Sequence, residues 1–317
     1  MNIRDEPGAS RAEPGKCVFL VNPASANGST GRRWPELARR AVAAGLEGDT
    51  LFSERPGHLS ELAREAALGG VGLLVVVGGD GSVNEVANGL VGIGTQPDLA
   101  VIARGTGWDF VRTFGIPRKL EQAVRVALEG DVRTIDLGRV SFRAWDGSDT
   151  SAIFANVASA GMSGAIAKRA NETTKGLGGK ASYLWATFAV FSGWQATDVE
   201  LTVDGERRAG RMFDVVVANG RFFGGGLQIC PEAEPDDALF DVLTIGDITK
   251  RDLLMTMPKI YRGTHLPHPK AELLRGATVT ISSDVPLPVE LDGEQPGTTP
   301  VSLDVLPRAL RLRVPRS

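Results

Sequence analysis

The residues with the clearest chemical potential are three glycines around one aspartate, in the segment Gly78-Gly-Asp-Gly81. This segment follows the apolar run Val71–Val77 and precedes a helical pattern that begins at Val83. Glycines at the carboxyl end of a buried strand let the backbone approach a ligand without Cβ atoms in the way. The N–H groups at the start of the following helix attract an anion such as a phosphate. An ordinary tight turn needs only one glycine, so the pattern favours ligand binding.

Asp80, inside this turn, requires a partner because phosphates would repel an isolated carboxylate. Mg²⁺, a backbone donor or a ribose hydroxyl would each supply that partner. The spacing is not that of a P-loop, since Gly179-Lys180 is followed by Ala181 rather than by serine or threonine. The spacing G-x-G-x-x-G of the dinucleotide fingerprint is absent as well. The turn is therefore a candidate phosphate site with neither of these two common signatures.

Two other turns of similar chemistry follow strand-like runs. Asn22-Pro23 follows the run Cys17–Val21, and Gly105-Thr-Gly107 follows the run Leu99–Ala103. The alternation of strand and helix patterns up to about Leu137 predicts a parallel sheet covered by helices. In such sheets ligands bind at the carboxyl edge of the strands, which is where all three turns would lie.

After about Gly138 the pattern changes to short strand-like runs joined by glycine, proline and aspartate turns. This spacing predicts an antiparallel sandwich or barrel. We therefore predict an α/β N-terminal domain with a parallel sheet over residues 16–138, and a β-rich C-terminal sandwich domain over residues 139–304. The last residues, about 305–317, are predicted to return to the first domain.

One long helical pattern, Ser182–Trp194, interrupts the strand-like runs. It is shorter than the roughly 18 apolar residues that a membrane-spanning helix requires. A helix packed in the core is the expected structure, and a helix whose outer face contacts a membrane surface is the alternative.

The composition excludes several classes of protein. With 42% hydrophobic residues among 317, the chain is neither mostly disordered nor an integral membrane protein. Its net charge of -3 offers no general attraction for nucleic acid. Three histidines and two cysteines, without H-E-x-x-H or C-x-x-C, argue against a zinc enzyme and a disulfide framework. The polar N-terminus lacks the apolar region of a signal peptide, so a cytoplasmic protein is expected.

The order of the motifs resembles the diacylglycerol kinase catalytic family. This family includes soluble bacterial lipid kinases and the sphingosine and ceramide kinases, with NAD kinases as distant relatives. The resemblance covers about residues 16–310 and is carried by Asn22-Pro23, Gly78–Glu85, Gly105–Phe110, Asn219–Gly226, Cys230–Leu239 and Leu291–Glu294. It implies a kinase-like α/β domain and a β-rich domain, with ATP and the acceptor meeting in the cleft between them.

The resemblance implies a nucleotide site for ATP in the first domain. The implied residues come from the three turns, from the end of the second strand and from the helix that follows the glycine turn. They are Asn22, Ser53, Gly78, Gly79, Asp80, Gly81, Ser82, Asn84, Glu85 and Thr106.

The same resemblance implies a structural magnesium ion in the second domain, held by a loop that matches Glu234, Asp237 and Leu239. Asp237 would supply its carboxylate, and Glu234 and Leu239 would supply backbone oxygens. From the residues alone, Asp236 and Asp237 are adjacent carboxylates that repel each other, and a bound cation would relieve that repulsion. A plain acidic loop is the alternative.

The Leu-Asp-Gly-Glu turn resembles the catalytic element of the family. It implies Asp292 and Glu294 as candidates for the general base, with Asp80 as a third catalytic residue. Phosphoryl transfer needs positioning, charge neutralisation by Mg²⁺ and a group that accepts the hydroxyl proton. The three histidines lie outside the motifs, so a carboxylate is the natural base. A hairpin turn with solvated charges is the alternative for Asp292-Gly293.

Three positions depart from the pattern of the family. Ser82 stands where threonine is usual and keeps the hydroxyl. Trp108 stands where asparagine is usual and places a large indole at the expected cleft, and Ser163 stands where an aspartate is common. The last two departures bear on the acceptor specificity and on the geometry at the phosphate side.

The function implied by the resemblance is an ATP-dependent lipid kinase that phosphorylates a lipid hydroxyl, with diacylglycerol as the first choice. Such an enzyme is expected to visit the membrane surface from the cytoplasm, and a homodimer is compatible with it. Arginines near the end of the chain would contact anionic headgroups or form a solvated tail; they are Arg308, Arg311, Arg313 and Arg316.

Two alternatives remain open from the sequence. Because of Trp108 and Ser163, the chain could be a nucleotide-binding or lipid-binding regulatory protein that has lost catalysis. It could also be a kinase of a soluble acceptor, such as NAD or a natural product. An apolar channel into the second domain would favour a lipid, since an acyl chain needs a place to bind.

Overall fold

A computed structural model describes residues 16–105, 107–173, 189–191 and 193–316. Its helices are α1 (Ser29–Ala43), α2 (His58–Leu68), α3 (Asp80–Leu90), α4 (Asp109–Thr113), α5 (Leu120–Glu129), α6 (Met162–Thr173) and α7 (Lys250–Ile260). Its strands are β1 (Cys17–Val21), β2 (Asp49–Phe52), β3 (Leu73–Gly78), β4 (Asp98–Ala103), β5 (Asp131–Ala144), β6 (Asp149–Phe154), β7 (Val157–Gly161), β8 (Thr197–Val203), β9 (Glu206–Ala218), β10 (Phe240–Gly246), β11 (Ala271–Gly276), β12 (Thr278–Ser283), β13 (Pro288–Leu291) and β14 (Glu294–Val314).

The first half of the chain forms a parallel sheet with helices on both faces. Its strands lie in the order β2-β1-β3-β4, and each neighbouring pair runs parallel. Trp34 of α1 and Val124 of α5 pack in the cluster on one face, whereas Leu59 of α2 and Val86 of α3 pack in another cluster. Burial on both faces explains the unbroken apolar runs of β3 and β4. The carboxyl ends of these strands therefore share one edge.

The second half is built from antiparallel strands. β11-β10-β9-β7-β13-β14 are neighbours in that order, and β8 and β12 form a second path between β9 and β14. Phe154, Val217 and Phe240 belong to one buried cluster of these strands. Buried and exposed residues alternate along β12, as in a strand with one face on a core. The strand-rich second half agrees with the change of pattern after Gly138.

The long last strand, β14, connects the two halves. It pairs with β13, β12 and β5, and its end pairs in parallel with β4 through Arg311 and Asp98. Arg311 and Arg313 both form ion pairs with Asp98, at 2.7 and 2.6 Å. These two arginines are therefore part of the sheet, and a freely solvated tail is wrong for them. Arg308 lies in the same strand, where its N–H donates to Asp136 at 2.7 Å.

The predicted helix Ser182–Trp194 lies largely outside the described residues, which include only 189–191, 193 and 194 of it. Val190 and Trp194 pack against a buried cluster that includes Met162 of α6 and Leu253 of α7. Among the described residues, none of the helices has the length and apolar character needed to cross a membrane.

Candidate active site

The loops after β3 and β4 meet at the carboxyl edge of the parallel sheet. The N–H of Arg104 donates to Gly78 O at 2.6 Å, which ties the second loop to the end of β3. A Cβ on Gly105 would stand 2.9 Å from the Gly79 Cα. The two backbones thus touch at this point, and this contact is the physical reason for glycine at position 105, whereas a Cβ on Gly79 would stand at an ordinary 3.5 Å from Gly105 Cα.

Asp80 fixes the loop after β4 against the start of α3. It is the first residue of α3, and its carboxylate accepts the N–H groups of Trp108 at 2.8 Å and Phe110 at 3.0 Å. A Cβ on Gly107 would stand 2.5 Å from Asp80 Oδ2, so this glycine also serves close packing. Of the three partners considered for Asp80, backbone donors are those that the structure supplies.

The loop after β1 joins the same edge through a side-chain contact. Asn22 Nδ2 donates to Ser82 Oγ at 3.0 Å, and a Cβ on Gly78 would stand 2.3 Å from that hydroxyl oxygen. Gly81 differs, because a Cβ there would meet no described atom within 4 Å. Its glycine is therefore not required by packing, and the open space beside it lies at the first turn of α3, where backbone N–H groups favour an anion.

Ser53 and Glu85 are two further residues of the predicted nucleotide site. Ser53 follows β2 and donates its N–H to Val21 O at 3.0 Å, and Glu85 Oε2 accepts the N–H of Leu59 at 3.2 Å. Thr106 lies outside the described residues. The predicted nucleotide residues that are described therefore surround the carboxyl edge of the sheet, at the end of β1, β2 and β3 and on α3.

Asp292 connects the two halves of the chain. It occupies the turn between β13 and β14 with a φ of 48°. Its Oδ1 accepts the N–H groups of Asn156 and Val157 at 3.0 and 2.9 Å, and its Oδ2 accepts Ala155 N and Asn84 Nδ2, both at 2.7 Å. Burial raises the pKa of the Asp292 carboxyl, and the four donors oppose that rise. All four acceptor positions of this carboxylate are occupied.

Glu294 follows in the same turn. The pKa of its carboxyl is raised by burial first and by the Glu85 carboxylate second. Glu290, before the turn, is buried and accepts bonds from Gly293 N and, at 3.1 Å, from Ser159 Oγ. Burial raises the pKa of Glu290 to about 8. The carboxyl groups of Glu290, Asp292 and Glu294 therefore all lie in or next to this turn, and each has different neighbours.

Asp109 is a site residue that the sequence prediction omits. Its Oδ1 accepts Arg112 Nη1 at 2.9 Å, and its Oδ2 accepts Gly225 N at 2.7 Å, which joins α4 to the motif Asn219–Gly226. Burial first and the Asp80 carboxylate second raise its pKa to about 6. The signal was available, because Asp109 stands inside the Gly105–Phe110 motif.

Asn88 is a second residue outside the prediction. Its amide nitrogen donates to Asn84 Oδ1 at 3.0 Å and to Ile153 O at 3.1 Å, and its Oδ1 accepts Ile153 N at 3.1 Å. It therefore supports the amide that reaches Asp292. The spacing of four residues on one helix face is the sequence signal that identifies such a pair.

Cationic and aromatic side chains border the glycine turns. The pKa of Arg104 is lowered by burial and then by the nearby Arg33, and its Nε is buried without a hydrogen-bond partner among the described atoms. Two cations that repel each other beside a helix start suit an anionic ligand. Trp108 Nε1 donates to Gly105 O, and the Arg118 guanidinium lies 3.1 Å from the centre of the indole ring. The large side chain is thus held in place by the loop itself.

The predicted magnesium loop is neutralised by arginines. Asp237 Oδ2 contacts Arg275, its Oδ1 accepts Leu239 N at 3.0 Å, and Glu234 O accepts Asp237 N at 3.4 Å. Asp236 pairs with Arg133 at 2.5 Å. Among the described residues, no three acidic, histidine or cysteine side chains converge as metal ligands. The predicted site uses one carboxylate and two backbone oxygens rather than three such side chains, so it stays a prediction.

Ser163, one of the departures from the family pattern, has a partner in the structure. Its N–H at 3.1 Å and its hydroxyl both donate to Oδ2 of Asp214, which is buried in β9. Burial raises the pKa of Asp214 to about 7. A carboxylate therefore lies beside position 163, and it comes from a residue 51 positions away in sequence, with no local signal to predict it.

A cleft of about 420 Å³ opens in the second half of the chain. Apolar and cationic side chains line it, namely Trp145, Ala165, Lys168, Arg169, Val190, Pro286, Pro288 and Thr298. Pro288 stands four residues before Asp292 in sequence, which corresponds to roughly 13 Å of extended strand. The wall of the cleft at Pro288 therefore lies no farther than this from the carboxylate turn.

Two family models match successive parts of the chain. Residues 16–140 match the diacylglycerol kinase catalytic domain, and residues 156–314 match the YegS C-terminal NAD kinase beta sandwich-like domain. A diacylglycerol kinase of Mycobacterium tuberculosis (strain H37Rv) is 29% identical over 310 residues, which are 96% of this chain and 97% of that protein. A diacylglycerol kinase of Bacillus subtilis (strain 168) is 26% identical over 299 residues, covering 94% and 96%.

Solved structures share the fold. A diacylglycerol kinase from Bacillus anthracis str. Sterne has a TM-score of 0.72 and 22% identity, covering 96% of this chain and 98% of its own. Yeast NADH kinase has a TM-score of 0.52 and 11% identity, covering 96% and 84%. The fold and the matched domains define a phosphotransferase that acts on an alcohol group, and the predicted C-terminal sandwich is confirmed. The chain belongs to the diacylglycerol kinase family.

Proposed function

We propose that this protein transfers the γ-phosphate of ATP to the hydroxyl of a membrane lipid of the diacylglycerol class. The observation that carries the proposal is the contact between Asn84 and Asp292. Asn84 lies four residues after Asp80 on α3, about 6 Å along the helix axis. A phosphate at the start of α3 and a hydroxyl at the Asp292 turn would therefore stand close enough for direct transfer.

The first step of the proposal is nucleotide binding at the glycine turns. ATP enters as its Mg²⁺ complex, and its phosphates occupy the space beside Gly81 at the first turn of α3. Arg104 and Arg33 add positive charge to this place. Asp80 contributes by holding the loop after β4, because its carboxylate is occupied by two backbone N–H groups.

The second step is removal of the hydroxyl proton. Glu294 takes this proton, and Asp292 positions the turn. The assignment follows from Asp292, which already accepts four hydrogen bonds and has no acceptor position left for a substrate hydroxyl. A raised pKa brings the Glu294 carboxyl toward neutral pH, which suits a general base. Loss of the proton makes the acceptor oxygen nucleophilic, and it attacks the γ-phosphorus as ADP leaves.

The cleft beside the turn favours a lipid over a soluble acceptor. Pro286, Pro288 and Val190 offer apolar surface for an acyl chain, while Lys168 and Arg169 offer charge for a headgroup region. The regulatory alternative has less support, because the two departures on which it was based, Trp108 and Ser163, both form hydrogen bonds within the fold. The homodimer stays a prediction.

The test is transfer of label from γ-labelled ATP to a panel of lipids in mixed micelles. We expect label in the phosphorylated product of a diacylglycerol. Label in a soluble metabolite and in none of the lipids would overturn the lipid assignment. Stabilisation by ATP without turnover on any acceptor would instead support the regulatory alternative.

A further inference from the structure

Helix α7 (Lys250–Ile260) presents apolar side chains to solvent. Leu253 and Ile260 are buried, but Leu254 and Met255 are 68% and 63% exposed. Tyr261, directly after the helix, is 51% exposed. Single exposed apolar residues are common on protein surfaces, but here three large ones lie within eight residues. Such a concentration indicates that the outer face of α7 binds a partner.

The same segment is basic in an acidic protein. Residues 249–262 contain one acidic residue, Asp252, and four basic ones, which are Lys250, Arg251, Lys259 and Arg262. This local excess of positive charge contrasts with the net charge of -3 for the whole chain. Apolar side chains and a tyrosine among lysines and arginines are the composition of helices that lie in a membrane interface.

We propose that the outer face of α7 docks on an anionic lipid surface. Leu254 and Met255 would insert at the boundary between headgroups and acyl chains, and Tyr261 would lie at headgroup level. Arg251 and Arg262 would contact the anionic headgroups. A second copy of the chain is a less suitable occupant, because two faces of equal positive charge repel each other.

The position of α7 connects this surface to the acceptor cleft. Leu253 and Met257, on its inner side, pack in the buried cluster that includes Ile166 of α6. The neighbouring residues of α6, Ala165 and Lys168, line the cleft. A membrane bound at α7 would therefore lie beside the cleft. This relation to the acceptor rests on the proposed lipid kinase function, whereas docking itself does not.

Co-sedimentation of the full chain with vesicles tests the docking. The vesicles contain phosphatidylcholine alone or mixed with phosphatidylglycerol. We expect the chain to bind the anionic vesicles, and the variant Leu254→Glu/Met255→Glu to bind them at least tenfold more weakly, about 1.4 kcal/mol or more. The control variant Val42→Glu/Leu68→Glu changes two apolar residues on α1 and α2 that are 51% and 61% exposed. It is expected to bind as the unchanged chain does.

The result that overturns the proposal is equal vesicle binding by both variants, or no vesicle binding by the unchanged chain. It is also overturned if light scattering finds a dimer that Leu254→Glu/Met255→Glu dissociates while vesicle binding persists. A short-chain diacylglycerol dispersed in water separates docking from catalysis, since the α7 variant should phosphorylate it at the unchanged rate. If the unchanged chain phosphorylates no acceptor but the α7 variant loses vesicle binding as expected, the docking proposal stands and the proposed function fails.

Discussion

Asn84 Nδ2 donates to Asp292 Oδ2 at 2.7 Å, across 208 positions of sequence. One residue lies on the helix that follows the glycine turn, and the other lies in the carboxylate turn of the second domain. The bond is supported on one side by Asn88 and on the other by three backbone N–H groups of residues 155–157. This relationship sets the separation between the proposed nucleotide and acceptor sites.

The two carboxylates of the turn are expected to respond differently to removal of charge. Glu294→Gln should lower kcat by roughly 10²–10⁴ with little change in Tm, because a general base is lost. Asp292→Asn should lower Tm as well as kcat, since its new amide N–H group would face backbone donors and leave one of them unpaired, at about 1–3 kcal/mol. Steady-state kinetics and thermal unfolding measure both. Full activity of Glu294→Gln would remove it as the proton acceptor.

The pH dependence of kcat provides a separate check on Glu294. The base must be ionised to act, so activity should rise with pH, with a midpoint above that of an ordinary glutamate. Glu85 contributes to the raised pKa, after burial. Glu85→Gln should therefore move the acidic limb of the profile to lower pH, without removing the shift entirely. A limb that stays in place would separate Glu294 from the pH dependence.

The glycine turn can be tested by adding single methyl groups. Gly81→Ala should keep or slightly raise the free energy of unfolding, by about 0.4–1 kcal/mol, yet weaken MgATP binding, because its Cβ enters open space beside the proposed phosphates. Gly105→Ala should destabilise by about 1–3 kcal/mol, since its Cβ would press on Gly79. Gly94→Ala, also without a described atom within 4 Å, is the control. Calorimetric titration with MgATP should leave Gly94→Ala unchanged, and unchanged binding by Gly81→Ala would place the phosphates elsewhere.

The parts of the site predicted from sequence are those set by local pattern. The apolar run of β3, its terminal glycines and the helical start after them are encoded by neighbouring residues, so the turn at Asp80 could be located directly. The role of its carboxylate could not, because its donors, Trp108 and Phe110, come from another loop. Because the strands end at one edge of the sheet, the sequence predicted that these loops lie close together. It did not predict which backbone N–H groups bind Asp80.

The parts not predicted depend on contacts between distant residues. Asp214 meets Ser163 across 51 positions, and Arg275 meets Asp237 across 38. Neither Asp214 nor Arg275 stands in a motif, and only the pairing of strands brings them to their partners. The last strand illustrates the same point. The sequence predicts a basic tail at Arg311 and Arg313, whereas in the structure both form ion pairs with Asp98 in the sheet.

Buried Glu290 predicts a dependence of stability on pH. Its pKa is raised to about 8 in the folded protein by burial, whereas the unfolded chain releases this proton near pH 4.5. Between these values the folded state holds more protons, so the free energy of unfolding should fall as the pH rises. Glu290→Gln should flatten this fall when denaturation is followed from pH 5 to 8. An unchanged slope would mean that Glu290 is ionised in the folded protein.

The acidic loop offers the last test, between an arginine and a metal ion. Arg275 contacts Asp237 and lies 3.4 Å from the buried Asp241. If Arg275 neutralises this loop, EDTA should leave Tm unchanged, and Arg275→Met should destabilise the protein by about 1–3 kcal/mol because Asp241 loses its partner. The control Arg207→Met, from an exposed pair with Glu200, should change little. A Tm that falls with EDTA and returns with Mg²⁺ would instead establish a magnesium ion in this loop.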